Sequence, residues 1–484
     1  MGALIAILDR NNKNATETAI MMLKILTPKS TEYFGIASPQ TTSIGKTIGK
    51  LKTGNMNSPT IIGYAFTKIL KEDKPQPILL ENAAALVFEG RTYSDKTRTC
   101  FQKSKAKRET IAEALIKNVH GDFAFTIIES EKIIAGRDAI SAKPLYYGEN
   151  KDLAALASER KALWKIGVNK AEPFPPGHLA IVDRNGFKFK SVKTLVSSPP
   201  KTPTMQVAAK KLQKLLQCST QERVSGLKEV AVAFSGGLDS GLITFLAKNA
   251  TQTMHLIHVS LEDQLETEHA KQAAEELKLP IHTYLYKQQQ IEQILPEVLW
   301  LIEEPDPVKT SIGIPLYWVT ERAAELKLKV MLAGQGADEY FGGYQRYVDD
   351  YLQRGPEKTK KAILDDILRM HETNLERDSK IANYHGVELR FPFATYQIAE
   401  YASQLPLQLK LEPSKTTLRK LVLRKVAKNL GLPKSITEKP KKAIQYTTGV
   451  SKALQKLAKK QGLPVNQYLQ ETFQKIYNKR MRND

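Results

Sequence analysis

Residues 229–241 read EVAVAFSGGLDSG, and residues 331–343 read MLAGQGADEYFGG. Each is an apolar run that breaks into glycines and then offers a carboxylate. Val230–Phe234 has the composition of a short buried strand, and SGLITFLAK after it has helical character. A strand passing through a Gly-rich turn into a helix puts that turn at the carboxyl edge of a sheet, where ligands of open α/β sheets bind. Gly236 and Gly237 let backbone N–H groups approach a phosphate, Ser235 and Ser240 add hydroxyl donors, and the helix N-terminus adds partial positive charge. Asp239 would repel a phosphate unless a cation stands between them, so the loop predicts Mg²⁺. Asp338 is a second acid for the same metal. The spacing is not G-x-x-x-x-G-K-[ST], so a kinase-type phosphate loop is a poor match. A capped βα turn would explain the first stretch alone, but not its recurrence at a later strand end.

Working outward, strands are expected at Val230–Phe234, His255–Val259, Ile281–Tyr286 and up to Leu332, with a helix running to Leu277. Strands alternating with helices predict a parallel, doubly wound sheet. MQVAAKKLQKLLQ predicts a helix with Val207, Leu212, Leu215 and Leu216 on one face. VSSPPKTPT, Val196–Thr204, interrupts every periodic pattern, so two domains are expected, 1–195 and 205–484. Upstream, the runs TIIGYAF and AALVFEG with few strong helices suggest α+β.

The 484 residues are 42% hydrophobic and 25% charged, as in ordinary globular chains. No apolar run is long enough to span a membrane, no basic region precedes the short apolar start, and the two cysteines, Cys100 and Cys218, form no motif. A reduced, cytoplasmic protein is expected. The net charge is +21, of which residues 401–484 carry +15 through 19 basic and 4 acidic residues. Such a tail suits RNA, but without interleaved aromatics or a nucleic-acid motif it reads as a solvated helical face. Here Lys452, Lys456, Lys459 and Lys460 alternate with Leu454, Leu457 and Ala458. His255 and His258, three apart on a strand, should face opposite sides and make a poor metal pair.

SGGLDS resembles the signature of the PP-loop ATP pyrophosphatases. With GQGADEYFGGY (334–344), ANYHGVELRFPF (382–393) and LRKVAKNLGLPKSITEKPKK (423–442), the C-terminal half resembles the asparagine synthetase family. GDFAFTIIES (121–130), GRDAISAKPLYY (136–147), SERKAL (158–163) and PPGH (175–178) resemble that family's class II glutamine amidotransferase domain. The resemblance implies an α+β amidotransferase-like sandwich followed by an α/β doubly wound parallel-sheet PP-loop synthetase domain. It also implies a reaction in which ATP adenylates a small-molecule carboxylate, pyrophosphate leaves, and ammonia displaces AMP to form an amide. Carried over by motif, Ser235, Gly236, Gly237, Asp239 and Ser240 would hold the pyrophosphate, and Asp239 and Asp338 the Mg²⁺. Ala233, Val259, Ala333 and Gly334 would line the nucleoside pocket, and Lys441 would bind the phosphates.

The chain departs from the family in two places. The family's glutaminase uses a cysteine at position 2, where this chain has Gly2, and its NGE motif is here Glu89-Gly90-Arg91. The expectation is an inactive glutaminase, ammonia from solution or a separate supplying partner, and a homo-oligomeric enzyme. The family's G-E-G-[SA]-D-E loop has Gln335 at its central acid, and glutamine orients an amine without taking its proton. Either Glu388 is then the candidate base, or the incoming nucleophile is already neutral. Aspartate is the default acid. The alternatives are an adenylating amidotransferase or lactam-forming synthetase acting on another acid, and a tRNA-directed PP-loop enzyme.

Overall fold

The computed structural model describes residues 1–26, 28–93, 106–195, 202–414 and 418–482; Cys100 and residues 196–201 of the expected linker lie outside them. The chain divides into two compact units, Met1–Thr194 with Asn383–Gly386, and Leu195–Ala382 with Val387–Asp484.

The first unit stacks two antiparallel sheets, of seven and six strands among the described residues. Its first strand, Gly2–Asp9 (GALIAILD), is apolar at every position but the last, and so can be buried on both faces. Leu4, Ala6 and Leu8 point between the sheets, toward Ile62, Tyr64, Val87, Ala124 and Ala135. Ala3, Ile5 and Ile7, on the opposite pleat, pack under helix Thr16–Ile25 through Ala19, Met22 and Leu23. Helix Arg108–Asn118 covers the outer face of the second sheet with Ala112, Leu115 and Ile116. Two sheets with helices outside them make the α+β sandwich that the sequence implied.

The second unit is built on five parallel strands: β1 (Glu229–Ala233), β2 (Thr253–Leu261), β3 (Ile281–Tyr286), β4 (Val330–Leu332) and β5 (Glu388–Arg390). They lie in the order β3-β2-β1-β4-β5. The chain winds outward from β1 in one direction, then returns to wind in the other, so the order reverses between β1 and β4. That reversal leaves a crevice at the strands' carboxyl ends. Loops 234–237 and 333–336 begin there.

Helix Met205–Val224 buries Ala208, Ala209, Leu212 and Leu216, but Val207 is 59% exposed. Five residues turn a helix by about 140°, which takes Val207 off the face of Leu212. His258 is buried, its Nδ1 3.0 Å from the Phe234 carbonyl oxygen, whereas His255 meets His282 at 3.2 Å. The two histidines have separate surroundings.

Candidate active site

The first loop turns at Gly236, whose φ is +66° and whose position could not hold a Cβ, since it would lie 2.8 Å from Ala270 Cα. The turn closes on itself through hydroxyls. Ser240 Oγ accepts from Ser235 N at 3.3 Å and lies 3.2 Å from Ser235 Oγ, while Gly237 N donates to Ser235 Oγ at 3.4 Å. Helix Leu238–Lys248 then starts, with Asp239 in its first turn. Ser235 stays exposed at the mouth, while Ala233, Gly237 and Asp239 are half-buried.

The second loop leaves β4 through Ala333, whose N–H donates to Arg390 O at 3.1 Å. It passes so close to the first that a Cβ on Gly334 would stand 3.1 Å from Asp239 Cβ. Gly336, at φ +97°, turns the chain into the short helix Ala337–Phe341, anchored by buried Tyr340 and Phe341. The helix presents Asp338. Val259, buried in β2, completes the residues expected around a nucleoside.

Asp239 and Asp338, 99 positions apart in sequence, converge on the same two cations. Lys420 Nζ is 2.7 and 2.6 Å from the two oxygens of Asp239 and 2.6 Å from Asp338 Oδ1. Lys441 Nζ is 2.7 Å from Asp338 Oδ2 and 3.5 Å from Asp239 Oδ2. Burial would raise the Asp338 pKa, but the two ammonium groups hold it well below the usual carboxylate range. Lys441 is correspondingly pushed up, because both carboxylates outweigh the effect of its burial. Lys420 was missed by the sequence reading, where it is one lysine in a basic run. Only its position opposite two separate acids marks it out.

Arg424 explains how both lysines are held. Its guanidinium donates to the carbonyl oxygens of Arg419 (2.6 Å), Thr437 (2.6 Å) and Lys439 (3.0 Å), and Arg419 in turn donates to Lys441 O at 3.0 Å. One planar fork thereby ties the segment carrying Lys420 to the one carrying Lys441. Gly343 leaves the space between Asp338 and Lys420, because a Cβ there would fall 1.9 Å from Asp338 Oδ1 and 2.3 Å from Lys420 Cε.

Two hard carboxylates already bridged by cations are the donor set that Mg²⁺ takes alongside substrate phosphates. The site's chemistry therefore fits the metal expected from the sequence.

Gln335 meets a carboxyl that the sequence did not point to. Its Nε2 donates to Asp378 Oδ2 at 2.5 Å, and Arg377 Nε donates to Asp378 Oδ1 at 2.7 Å. Asp378 is wholly buried, and burial raises its pKa despite the Arg377 guanidinium and the Gln335 amide. Glu388, the expected base, is buried in β5 and accepts from Arg390 Nε at 2.7 Å. Asp378 follows a π-helical turn, His371–Leu375, whose widened geometry lets Asn374 donate to Glu339 Oε1 at 2.6 Å. Such a turn has no period that the sequence could reveal.

The sequence profile described as Asparagine synthase matches residues 211–359 and 349–479, and that of a Glutamine amidotransferase domain matches 65–165. A putative asparagine synthetase [glutamine-hydrolyzing] of Methanocaldococcus jannaschii is 30% identical, over 98% of this chain and 99% of that one. The chain belongs to the asparagine synthase family. A probable asparagine synthetase of Dictyostelium discoideum is 25% identical over 78% of this chain and 75% of its own. An asparagine synthetase of Arabidopsis thaliana is 27% identical over 68% of this chain and 58% of its own. This is therefore an asparagine synthetase-like carbon–nitrogen ligase, of a family that uses ATP.

In this synthase-family chain the positions expected of a glutaminase, Gly2, Glu89, Gly90 and Arg91, are closely packed and paired. Gly2 lies in its strand opposite Phe66, where a Cβ would fall 2.0 Å from Ala65 O and 2.7 Å from Tyr64 Cζ. Tyr64 Oη donates to Glu89, whose other oxygen is 3.9 Å from Lys143 Nζ. Burial, and then the Glu89 charge, push the Tyr64 phenol far up. Gly90, at φ +117°, packs against Asp122 O, and Arg91 makes a two-pronged pair with Asp73, at 2.6 Å on one arm.

Proposed function

We propose that the second unit adenylates a small-molecule carboxylate with ATP and aminates it with ammonia, in the cytoplasm, with aspartate the first candidate acid. The observation that carries this is the meeting of Asp239 and Asp338 on Lys420 and Lys441 at the sheet's reversal point. Ammonia cannot displace oxide from a carboxylate. Adenylation solves this: a carboxylate oxygen attacks the α-phosphorus, pyrophosphate leaves, and the acyl carbon then carries AMP as its leaving group. The amine nitrogen attacks that carbon, the C–O bond to AMP breaks, and the nitrogen loses a proton.

Asp239 and Asp338 would hold Mg²⁺, which supplies charge neutralisation for the triphosphate when bound. The backbone of Ser235–Gly237 and the hydroxyls of Ser235 and Ser240 bind and orient the pyrophosphate, and Ala233, Val259, Ala333 and Gly334 line the nucleoside side. Lys441 stabilises charge on the departing group. Gln335 orients the incoming amine by accepting one of its N–H bonds, since its own Nε2 is engaged by Asp378. Asp378 takes over from Glu388 as the carboxylate proposed to serve this step. The first unit is an amidotransferase-like platform without glutaminase activity, so ammonia comes from solution or from another protein.

Gln335 favours a second reading, in which the same adenylation acts on another acid or closes an amide within one molecule. RNA is not favoured. Helix Val450–Lys460 buries Val450, Ala453, Leu454, Leu457 and Ala458 and exposes Lys452, Lys456, Lys459 and Lys460, the pattern of a docked helix with a solvated face.

The test is AMP and pyrophosphate production with a panel of acids, supplied with ammonium or glutamine, with and without tRNA. The proposal expects one acid to give both products with ammonium alone. Turnover only with tRNA would replace it.

A further inference from the structure

Every oxygen of Asp239 and Asp338 lies within ion-pair distance of a lysine, although Asp338 Oδ1 accepts no hydrogen bond. Lys420 takes both oxygens of Asp239 and one of Asp338, and Lys441 takes the other. Two carboxylates against two ammonium groups make the cluster neutral. Lys420 has a side chain only 1% exposed and sits between the acids, where an ion bridging them would have to sit. Its N–O distances of 2.6–2.7 Å suit an ammonium, whereas Mg²⁺ requires about 2.0–2.1 Å from the same oxygens. The two cannot share the position.

Lys420 is also built into place. Its backbone lies in the left-handed region at φ +59°, which a lysine rarely adopts. Its chain segment is stapled by Arg424, and its Cε passes through the gap left by Gly343. A surface lysine that had merely collapsed onto a nearby acid would have none of these three supports.

We propose that Lys420 is a surrogate cation that reserves the metal site and couples metal entry to nucleotide entry. A divalent ion arriving alone would make the neutral cluster doubly positive while displacing a seated ammonium group. ATP brings several negative charges, which compensate the ion and offer Lys420 new partners on the phosphates. Metal and nucleotide therefore enter together, and the carboxylates stay aligned beforehand. This rests on the proposed ATP–metal reading of the site, and deepens it.

The test is Mn²⁺ binding by electron paramagnetic resonance, which needs no acid substrate and no turnover. The parent, Lys420→Met and Lys420→Gln are titrated with Mn²⁺ alone and with Mn²⁺ plus a non-hydrolysable ATP analogue. The parent should bind Mn²⁺ alone at least ten times more weakly than either variant, and should bind it tightly once the analogue is present. Adding Asp239→Asn to Lys420→Met should remove the gained site. Parent affinity for Mn²⁺ alone equal to that of the variants, or equal to its own affinity with the analogue, overturns the surrogate. The second comparison uses only the parent and stands even if both variants misfold. Absence of Mn²⁺ binding in every sample, analogue included, refutes instead the metal reading beneath it.

Discussion

The two units treat their polar clusters in opposite ways. In the second, two acids from separate loops are kept apart from each other and matched by lysines that can change partners. In the first, the positions where a glutaminase would act are closed by a backbone carbonyl, a tyrosine ring and fixed pairs. Both clusters are polar and ion-paired, though in the second unit Asp338 Oδ1 accepts no hydrogen bond. The difference lies in what blocks them: a flexible side-chain ammonium can move aside for a better-charged ligand, whereas a strand carbonyl at 2.0 Å from a would-be Cβ cannot. Buried ion pairing is therefore compatible with a poised site or with a closed one, and the mobility of the blocking group distinguishes them.

The largest expected effect comes from breaking the poised cluster. Asp239→Asn and Asp338→Asn should each slow pyrophosphate release roughly 10³-fold, about 4 kcal/mol of barrier, because each removes a charged metal ligand. Circular dichroism should be unchanged, since in either variant both lysines keep one of the two acids. Near-parental release in both variants at saturating Mg²⁺ would remove the distinction between the units.

A smaller effect should separate the two chemical steps. Asp378→Asn leaves the phosphate site intact but removes the charge that holds the Gln335 amide. Amide formation should fall roughly 10-fold while acid-dependent pyrophosphate exchange stays near parental. The pH profile adds a sign. Burial raises the Asp378 pKa, so its ionised form is lost as pH falls through a value above that of an ordinary aspartate. Amide formation should decline on the acid side in the parent, and that limb should be absent in Asp378→Asn. Equal losses in both steps would make Asp378 a merely structural acid.

How much could be read beforehand follows the same division. The loops after β1 and β4 were legible because glycine, serine and aspartate at a strand end have few other uses, and β2 because a buried parallel strand carries a near-continuous apolar run. β3, a partly exposed edge strand, showed itself instead by its isoleucine, threonine and tyrosines. Lys420 and Asp378 were not legible. One sits in a basic tail where many lysines look alike, the other after a π-helical turn without periodicity, and each gains its role only from partners 181 and 43 positions away. Glu388 drew attention through its motif, but the fold gives it to Arg390. In the first unit Gly2 was visible as a missing thiol, whereas the ring of Tyr64 filling its space was not, since that depends on the register of two antiparallel strands.

The smallest expected effect on catalysis, none, belongs to Gly2→Cys. Restoring the thiol would test whether the first unit lacks only its nucleophile. A Cβ at position 2 meets Ala65 O at 2.0 Å and the Tyr64 ring at 2.7 Å, so the strand must shift before any sulfur can reach a substrate. Beyond it, Glu89 is engaged by Tyr64 and Arg91 by Asp73, so neither side chain is open to a glutamine. Glutamate release from glutamine should stay at the uncatalysed background in the parent, in Gly2→Cys, and in Gly2→Cys with Tyr64→Ala. The single variant should also unfold at a lower temperature than the parent, because overpacking a strand core typically costs about 1–3 kcal/mol. Tyr64→Ala should recover part of that loss by vacating the ring's space. Glutamate above background in the double variant but not the single would show that Tyr64 alone closes the pocket. Glutamate above background in the single variant would show that the first unit is as poised as the second, lacking one side chain rather than a site.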